Sequence, residues 1–454
     1  MRKKLIAIVF IIFVLNTRVF AQEVQKGSVE TVEMTIEQAY DLLLANNKSL
    51  KVAEEVINEK KYKKRAAIGH FFPKVVLNTT YIGFSQPIGI EVSGRELVFQ
   101  DQNVWGVGGG ALWNIFTGGK ILAMNSAARA NYIGANEKLR EVRDNLTSTL
   151  IERYYGLKLA RDVVTVRKQV LETTQKHLED AKKLEAAGII PKSERLHAEV
   201  AFSKADREYK AATRDAIVVE DALKSLVKAD SVDLKDVVVN PTSKLFIYNK
   251  EFEKLAEYQK IASDNSPLLK QMEVKQKLAK ANYRSELSNY SPVVSLFAYD
   301  IVGSKDLGQG IPRYAMGATA NFLLFDGLSR YNNVKAAASV KKQVDLEKEE
   351  AENKVTTLVN KQYNELLKYK EQYESTDSAI INAEEALRVS TKSFNEGFGT
   401  SLAVTDAQTA LAGVKIERLN AIYNYDKCLA ELLKSNGKTN EIFNYINDST
   451  KESL

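Results

Sequence analysis

Between Gly327 and Gly397 the chain has no glycine or proline, and apolar side chains recur at sevens: Val359, Leu366, Tyr373, Ile380, Leu387, Phe394. Only a helix puts residues seven apart on one stripe, and a sustained stripe of this period is a coiled-coil seam. At 1.5 Å per residue such a helix is about 100 Å long, far beyond an ordinary globular helix. The pattern also stands 209 residues earlier, at Leu150, Leu157, Val164, Leu171, Leu178 and Glu185. Its flanks obey the same shift. Phe325-Asp326-Gly327 falls on Phe116-Thr117-Gly118, Gly397 on Gly188, Tyr363 on Tyr154 and Ala336-Ala337 on Ala127-Ala128. One long-helix unit is therefore present twice.

Ahead of each long helix the period changes from seven to two. Residues 35–69 read as a helix opened by Thr35, with Gln38 placed for a capping box. Pro73 resets the chain, and Val75, Leu77, Thr79 and Tyr81 then alternate with Asn78 and Thr80. Residues 85–103 read as a loop. In the run that follows, Trp105, Val107, Ala111, Trp113 and Ile115 share one face, and Gly106, Gly108, Gly110 and Asn114 the other. The second copy repeats this order with a helix near 251–289, Pro292, and strands at 293–302 and 314–325. Phe297, Tyr299 and Ile301 alternate with Asp300, and Tyr314, Met316, Phe322 and Leu324 face opposite to Asn321.

The organisation that results is a segment 1–21, a first repeat 22–228, a linker 229–250, a second repeat 251–436 and a polar tail 437–454, partly disordered. The first repeat holds strands 75–84 and 104–116 and a long helical hairpin 118–228; the second holds its two strands and a hairpin 327–435. Glycine-rich strands are weak in a water-soluble sheet. They suit a wall with lipid on one side and a crowded or watery lumen on the other. Strands of about ten residues match tilted transmembrane strands. An open sheet edge in lipid leaves backbone groups unpaired, so four strands demand closure by several chains, and three chains give twelve strands. The expected lipid-facing residues are Trp105, Val107, Trp113, Phe297, Tyr299, Tyr314 and Phe322.

Composition narrows the partners. Residues 1–21 carry Arg2, Lys3, Lys4 and Arg18 without an acid, an apolar run and a small-residue end at Ala21, the pattern of a secretory signal. Removing those four charges takes the net +6 to about +2, and no basic stripe interleaved with aromatics points to nucleic acid. One cysteine, Cys428, gives no disulfide framework. The histidines His70, His177 and His197 are scattered without metal-ligand spacing. No nucleophile elbow or phosphate loop is present, so the reading is of a protein that is not an enzyme and has no cofactor or metal.

The duplicated order of helix, strand, strand and long helical hairpin, the Phe-x-Gly boxes at Phe116 and Phe325, and the segment Gly397…Asp406-Ala407-Gln408 resemble the TolC-like outer-membrane efflux protein family. The likeness runs from about Thr35 to Lys434. It implies a mainly α fold: a trimeric β-barrel in the outer membrane, four strands per chain, continuing into a periplasmic α-barrel. It also implies a homotrimeric exit duct for efflux or type I secretion, with a periplasmic adaptor and an inner-membrane transporter as partners. By the same resemblance Asp406 narrows the periplasmic mouth, and a second acid three residues earlier is replaced by Ala403. The family's latch tyrosine and arginine fall on Phe394 and Gly399. The turn residues Gly188, Pro191, Gly397 and Gly399 are candidates for adaptor contact. The alternative from another class is an exported structural or adhesive coiled coil without transport.

Overall fold

The computed structural model describes residues 30–227, 237–248, 254–303 and 313–452. The segment 1–21 expected to be a signal, and parts of the linker and of the second inter-strand loop, lie outside the described residues. In chain order the elements begin with β1 (Glu30–Met34), α1 (Ile36–Asn46), α2 (Lys48–Gly69), β2 (Lys74–Gly83), β3 (Ile88–Val92), β4 (Arg95–Gln100) and β5 (Asn103–Phe116). The first long hairpin follows as α3 (Lys120–Ala186) and α4 (Lys192–Val227). After β6 (Val237–Pro241) come α5 (Leu255–Asn265), α6 (Pro267–Ser288), β7 (Val293–Gly303) and β8 (Tyr314–Asn321). The second long hairpin is α7 (Ser329–Asn395) and α8 (Ser401–Ser435), and α9 (Ile442–Glu452) ends the described chain.

The four long strands form one antiparallel sheet in the order β2-β5-β7-β8. Each strand joins a helix end to end. The helices beside the sheet therefore pack in the matching order α2-α3-α6-α7. Lower down, the row becomes α4-α3-α8-α7. Both α3 and α7 have 67 residues, about 100 Å of helix. Where strand turns into helix, Gly118 and Gly119 both have positive φ. In the second copy the pair is Gly327 and Leu328, so there a leucine takes the left-handed conformation at φ 65°.

A belt near the middle holds the main core. Leu150, Ile151, Tyr154, Tyr155 and Leu157 of α3 meet Val355, Val359 and Leu366 of α7 and Tyr425, Leu429 and Leu432 of α8. Tyr154 Oη donates to the Met34 carbonyl at 2.7 Å and accepts from the Ser243 amide at 2.9 Å, tying both flanking segments to the long helix. The heptad stripe is fully buried at Val359, Leu366 and Phe394 and only half-buried at Tyr373, Ile380 and Leu387.

Several expectations change. The helix expected over 35–69 breaks at Asn47, which ends α1 and caps α2 by accepting from the Ser49 amide. The copy at 251–289 breaks at Ser266, where Pro267 can only begin a helix. The capping box of Thr35 and Gln38 is present as expected. Residues 85–103 are not all loop. β3 and β4 make a hairpin around Ser93 (φ 52°) and Gly94 (φ 76°), the two left-handed positions of a tight hairpin turn. The linker contains β6, which pairs in parallel with the unforeseen β1. The tail beyond Gly437 folds as α9, because Ile442 and Ile446, four apart, enter the core and Phe443 packs on Tyr40 at 4.8 Å.

The strand expected over 314–325 stops at Asn321, paired with Val293 where β7 begins. Phe322 therefore lies beyond the strand, 52% exposed. The ladder also divides the residues expected to share a lipid face. Ala111 faces Ala298 and Trp113 faces Leu296, so Trp105, Val107, Trp113 and Tyr314 stand on one side of the sheet. Phe297 faces Leu112 and Tyr299 faces Gly110, which puts both on the other side. The antiparallel offset between β5 and β7 set this, and alternation within each strand alone does not reveal it.

The side with Phe297 is concave. Ser295, Phe297, Tyr299 and Ile301 are buried or half-buried, whereas Leu296, Ala298, Asp300 and Val302 are exposed. A Cβ on Gly317 would stand 3.0 Å from the Phe297 ring, so the glycines make room for inward aromatic side chains. The convex side presents Val75, Leu77, Tyr81, Trp105, Trp113 and Met316, all exposed. Trp113 Nε1 donates to the Phe71 carbonyl at 2.7 Å where strand meets helix. If the convex side meets lipid, Leu77→Arg will cost about 2–4 kcal/mol near the bilayer midplane, whereas Asn78→Arg will cost less than about 1 kcal/mol. Denaturant titration of both variants in lipid vesicles checks this; equal losses would remove the assignment.

Candidate functional site

The two long hairpins turn at the same end of the molecule. Each turn is capped alike. Gly188 (φ 72°) donates to the Glu185 carbonyl and Ile189 to the Leu184 carbonyl, both at 2.9 Å. Gly397 (φ 82°) donates to the Phe394 carbonyl and Phe398 to the Ser393 carbonyl, both at 3.0 Å. These paired bonds satisfy the last carbonyls of α3 and α7, and glycine carries the left-handed position without a Cβ penalty. A Cβ on Gly399 would fall 2.8 Å from the Phe394 nitrogen. The Pro191 carbonyl accepts from the Glu194 amide at 3.0 Å as α4 begins. Turn geometry therefore accounts for all four residues.

The tips also touch each other. Ile189 Cγ2 lies 3.3 Å from where a Gly397 Cβ would be. Leu178, Ala181, Ile190, Ala198, Phe394 and Val404 form a second buried cluster across the two hairpins. Phe394 is fully buried with its ring 4.6 Å from the His177 ring. The matching heptad position in the first copy is Glu185, which pairs with Arg195 at 2.6 Å. His177 Nε2 shares a 2.8 Å hydrogen bond with Ser401 Oγ, and Glu194 Oε2 accepts from the Ser401 amide at 2.6 Å. A carboxylate at the first turn of α8 also faces the positive end of its dipole. With Phe394 buried and Gly399 lacking a side chain, the polar links between the hairpin tips run through His177, Glu194 and Ser401.

Sequence reasoning missed these three. His177 and Ser401 lie 224 residues apart, and no spacing joins them until the tips are known to meet. Phe398, 89% exposed at the turn, was also passed over. Asp406 sits in the second turn of α8, exposed, beside a groove lined by His197, Val200, Lys204, Leu402 and Thr405. It makes no ion pair among the described residues. The structure does not bring Asp406 into the His177 cluster.

A duplicated sheet-and-hairpin chain of this build is the architecture of outer-membrane efflux channels. The sequence matches the outer membrane efflux protein family over residues 39–227 and 259–438, one segment per repeat. The chain belongs to that family. Its fold is similar to that of a membrane protein from Pseudomonas aeruginosa (TM-score 0.78, 17% identity, 90% of this chain and 91% of that one). It is also similar to the open state of the Neisseria gonorrhoeae MtrE outer membrane channel (TM-score 0.74, 18% identity, 92% and 95%). The Campylobacter jejuni CmeC outer membrane channel aligns with TM-score 0.75 at 14% identity over 94% of each chain. No curated protein matches by sequence. The family and its neighbours are channels rather than enzymes.

Burial pulls the His177 pKa below its usual value, against the raising influence of Asp180 on α3 and Glu194 on α4. The joined tips thus favour the neutral imidazole. Its contribution is fully present above the ordinary pKa of about 6.5 and is lost as the pH falls below it. Hydrogen exchange across the two turns, corrected for intrinsic rates, should quicken between pH 7 and pH 5 in the native chain and stay flat in His177→Gln. Equal protection of the native chain at both pH values would contradict this role.

Proposed function

We propose that three copies of this chain close into one tube that serves as the outer-membrane exit duct of a tripartite efflux or type I secretion system. One observation carries the reading: the sheet and the helical row beneath it are open at both sides in the same order. The outer edges of β2 and β8 have no partner strand among the described residues, and in lipid such edges must pair. Two copies would give eight strands, a size whose lumen side chains fill. Three give twelve, wide enough for a passage. The convex side would carry the lipid contacts, with Trp105, Val107, Trp113 and Tyr314 retained and Phe297 and Tyr299 reassigned to the lumen.

The hairpins extend away from the sheet by about 100 Å, a length suited to crossing the periplasm. At their tips Ile189 and Phe398 are exposed beside Gly188, Pro191, Gly397 and Gly399. Two adjacent apolar side chains on rigidly capped turns are a surface for a periplasmic adaptor, which would join the duct to an inner-membrane transporter. Asp406, two turns above Phe398 on α8, would form a ring of three carboxylates about the axis. A ring of like charge attracts cations, and protein walls focus that field.

Single-channel recording in planar bilayers tests this reading. The purified protein should give discrete cation-selective conductance steps, blocked by polyvalent cations from the side of the hairpins. Asp406→Ala should weaken both selectivity and block. Unchanged selectivity and block in the variant would leave Asp406 a solvated helix residue, and a protein that never conducts would contradict the duct.

A further inference from the structure

The two helices that lead into the sheet, α2 and α6, carry the same exposed stripe. On α2 it reads Ile68, Arg65, Lys61, and on α6 Leu287, Arg284, Lys280. In each helix the three stand one, four and eight residues before the last residue, Gly69 or Ser288, a spacing that keeps them on one face. The apolar member lies next to the sheet, and the two bases follow within about 12 Å. The stripes are 219 residues apart, as are Pro73 and Pro292, so the stripe belongs to the duplicated unit. All six residues are exposed, Ile68 by 44% and Leu287 by 47%. None of the four bases makes an ion pair among the described residues.

The sheet end of the helical row is basic as a whole. The last ten residues of α2, 60–69, hold five bases, all within 60–65. The ten nearest the sheet on α3, α6 and α7 hold two each: Lys120 and Arg129, Lys280 and Arg284, Arg330 and Lys335. Glu286 is the one acid set against these eleven bases. The next ten residues of the same four helices carry eight bases and seven acids, so the excess is confined to the sheet end. The turns beside the sheet add Lys74 and Asp326, one of each sign, and Asp326 pairs with Arg330 at 3.2 Å. Glu59, just beyond the band, pairs with Lys60 and Lys63.

The stripe on α6 faces out of the row. Gln271 and Val274 contact α3 at Glu141 and Gly134, and Lys275 and Gln276 contact α7 at Glu347 and Asp345. By helical spacing Lys280, Arg284 and Leu287 lie across the helix from these four, away from both neighbours. In a row that curves shut, that side is the outer one. We propose that the stripes form a basic collar that binds the acidic headgroups of phospholipids in the leaflet beside the hairpins. The proposal rests on the reading above that the sheet stands in the outer membrane. Ile68 and Leu287 reach the apolar edge of that leaflet, and the arginine and lysine below them meet its phosphates. A band of one sign with almost no acid has its complement in an anionic lipid surface rather than a zwitterionic one. Three copies repeat the stripe six times around the tube, and a shift of the sheet up or down would take the bases off the headgroup level.

The two tryptophans of the chain supply the test. Trp113 lies three residues from the helical end of β5 and Trp105 two from its other end, about 27 Å apart along the strand. Trp113 is bonded to the Phe71 carbonyl just past α2, so it reports on lipid beside the collar. In Trp105→Phe it is the sole tryptophan. In phosphatidylcholine vesicles holding a small fraction of brominated lipid, brominated phosphatidylglycerol should quench Trp113 several-fold more strongly than the same fraction of brominated phosphatidylcholine. The preference should shrink in molar salt. It should also vanish when Lys61, Arg65, Lys280 and Arg284 are all changed to Glu, and be absent in Trp113→Phe, which reports from Trp105. Equal quenching of Trp113 by the two lipids, or a preference that survives both molar salt and the charge reversal, would overturn the collar while leaving the duct intact. A Trp113 that neither brominated lipid quenches would overturn the membrane reading beneath it.

Discussion

Backbone hydrogen bonds at the edges of the four-stranded sheet are the constraint on which the rest depends. Inside a sheet every strand satisfies its neighbours; at β2 and β8 one row of N–H and C=O groups on each has no partner strand among the described residues. In water those groups would be hydrated, but in lipid each carries a cost of several kcal/mol. The helices inherit the order of the strands because each strand runs directly into one of them. A sheet that closes on copies of itself therefore closes a wall of helices too.

The far end obeys a different logic. There the chain has no sheet to fix spacing, and the distance between hairpins depends on side chains alone. Between the central belt and the tips, the heptad stripe is only half-buried at Tyr373, Ile380 and Leu387. At the tips Phe394 is buried beside His177, and Glu194 and His177 bind Ser401. These few contacts join long, thin helices over a short span. The buried cluster around Phe394 and these polar links together join the two tips.

Much of this was legible in the sequence. The duplication, the two hairpins, the four strands and the glycine-capped turns follow from periods of seven and two and from the constant offset between copies. The breaks at Asn47 and Ser266 were not seen, because one residue of non-helical backbone leaves the apolar spacing almost intact. The β3–β4 hairpin hid behind Ser93-Gly94, a short signal inside a stretch that otherwise reads as loop. Alternation gave each strand two faces but not which face of one strand matches which face of the next. Phe297 and Tyr299 were for that reason grouped with Trp105 when they belong opposite it. The His177–Ser401 link was beyond sequence reasoning, since it depends on two turns meeting in space. Asp406 was found by resemblance, and the fold places it exposed near the tips.

The central claim is that one chain is a third of a continuous tube. Electron microscopy of the purified protein in lipid nanodiscs tests it most directly. The account predicts a three-fold symmetric particle in which a short barrel within the disc runs into a hollow helical cylinder about 100 Å long. Particles holding a single chain, or particles with no density crossing the disc, would contradict it.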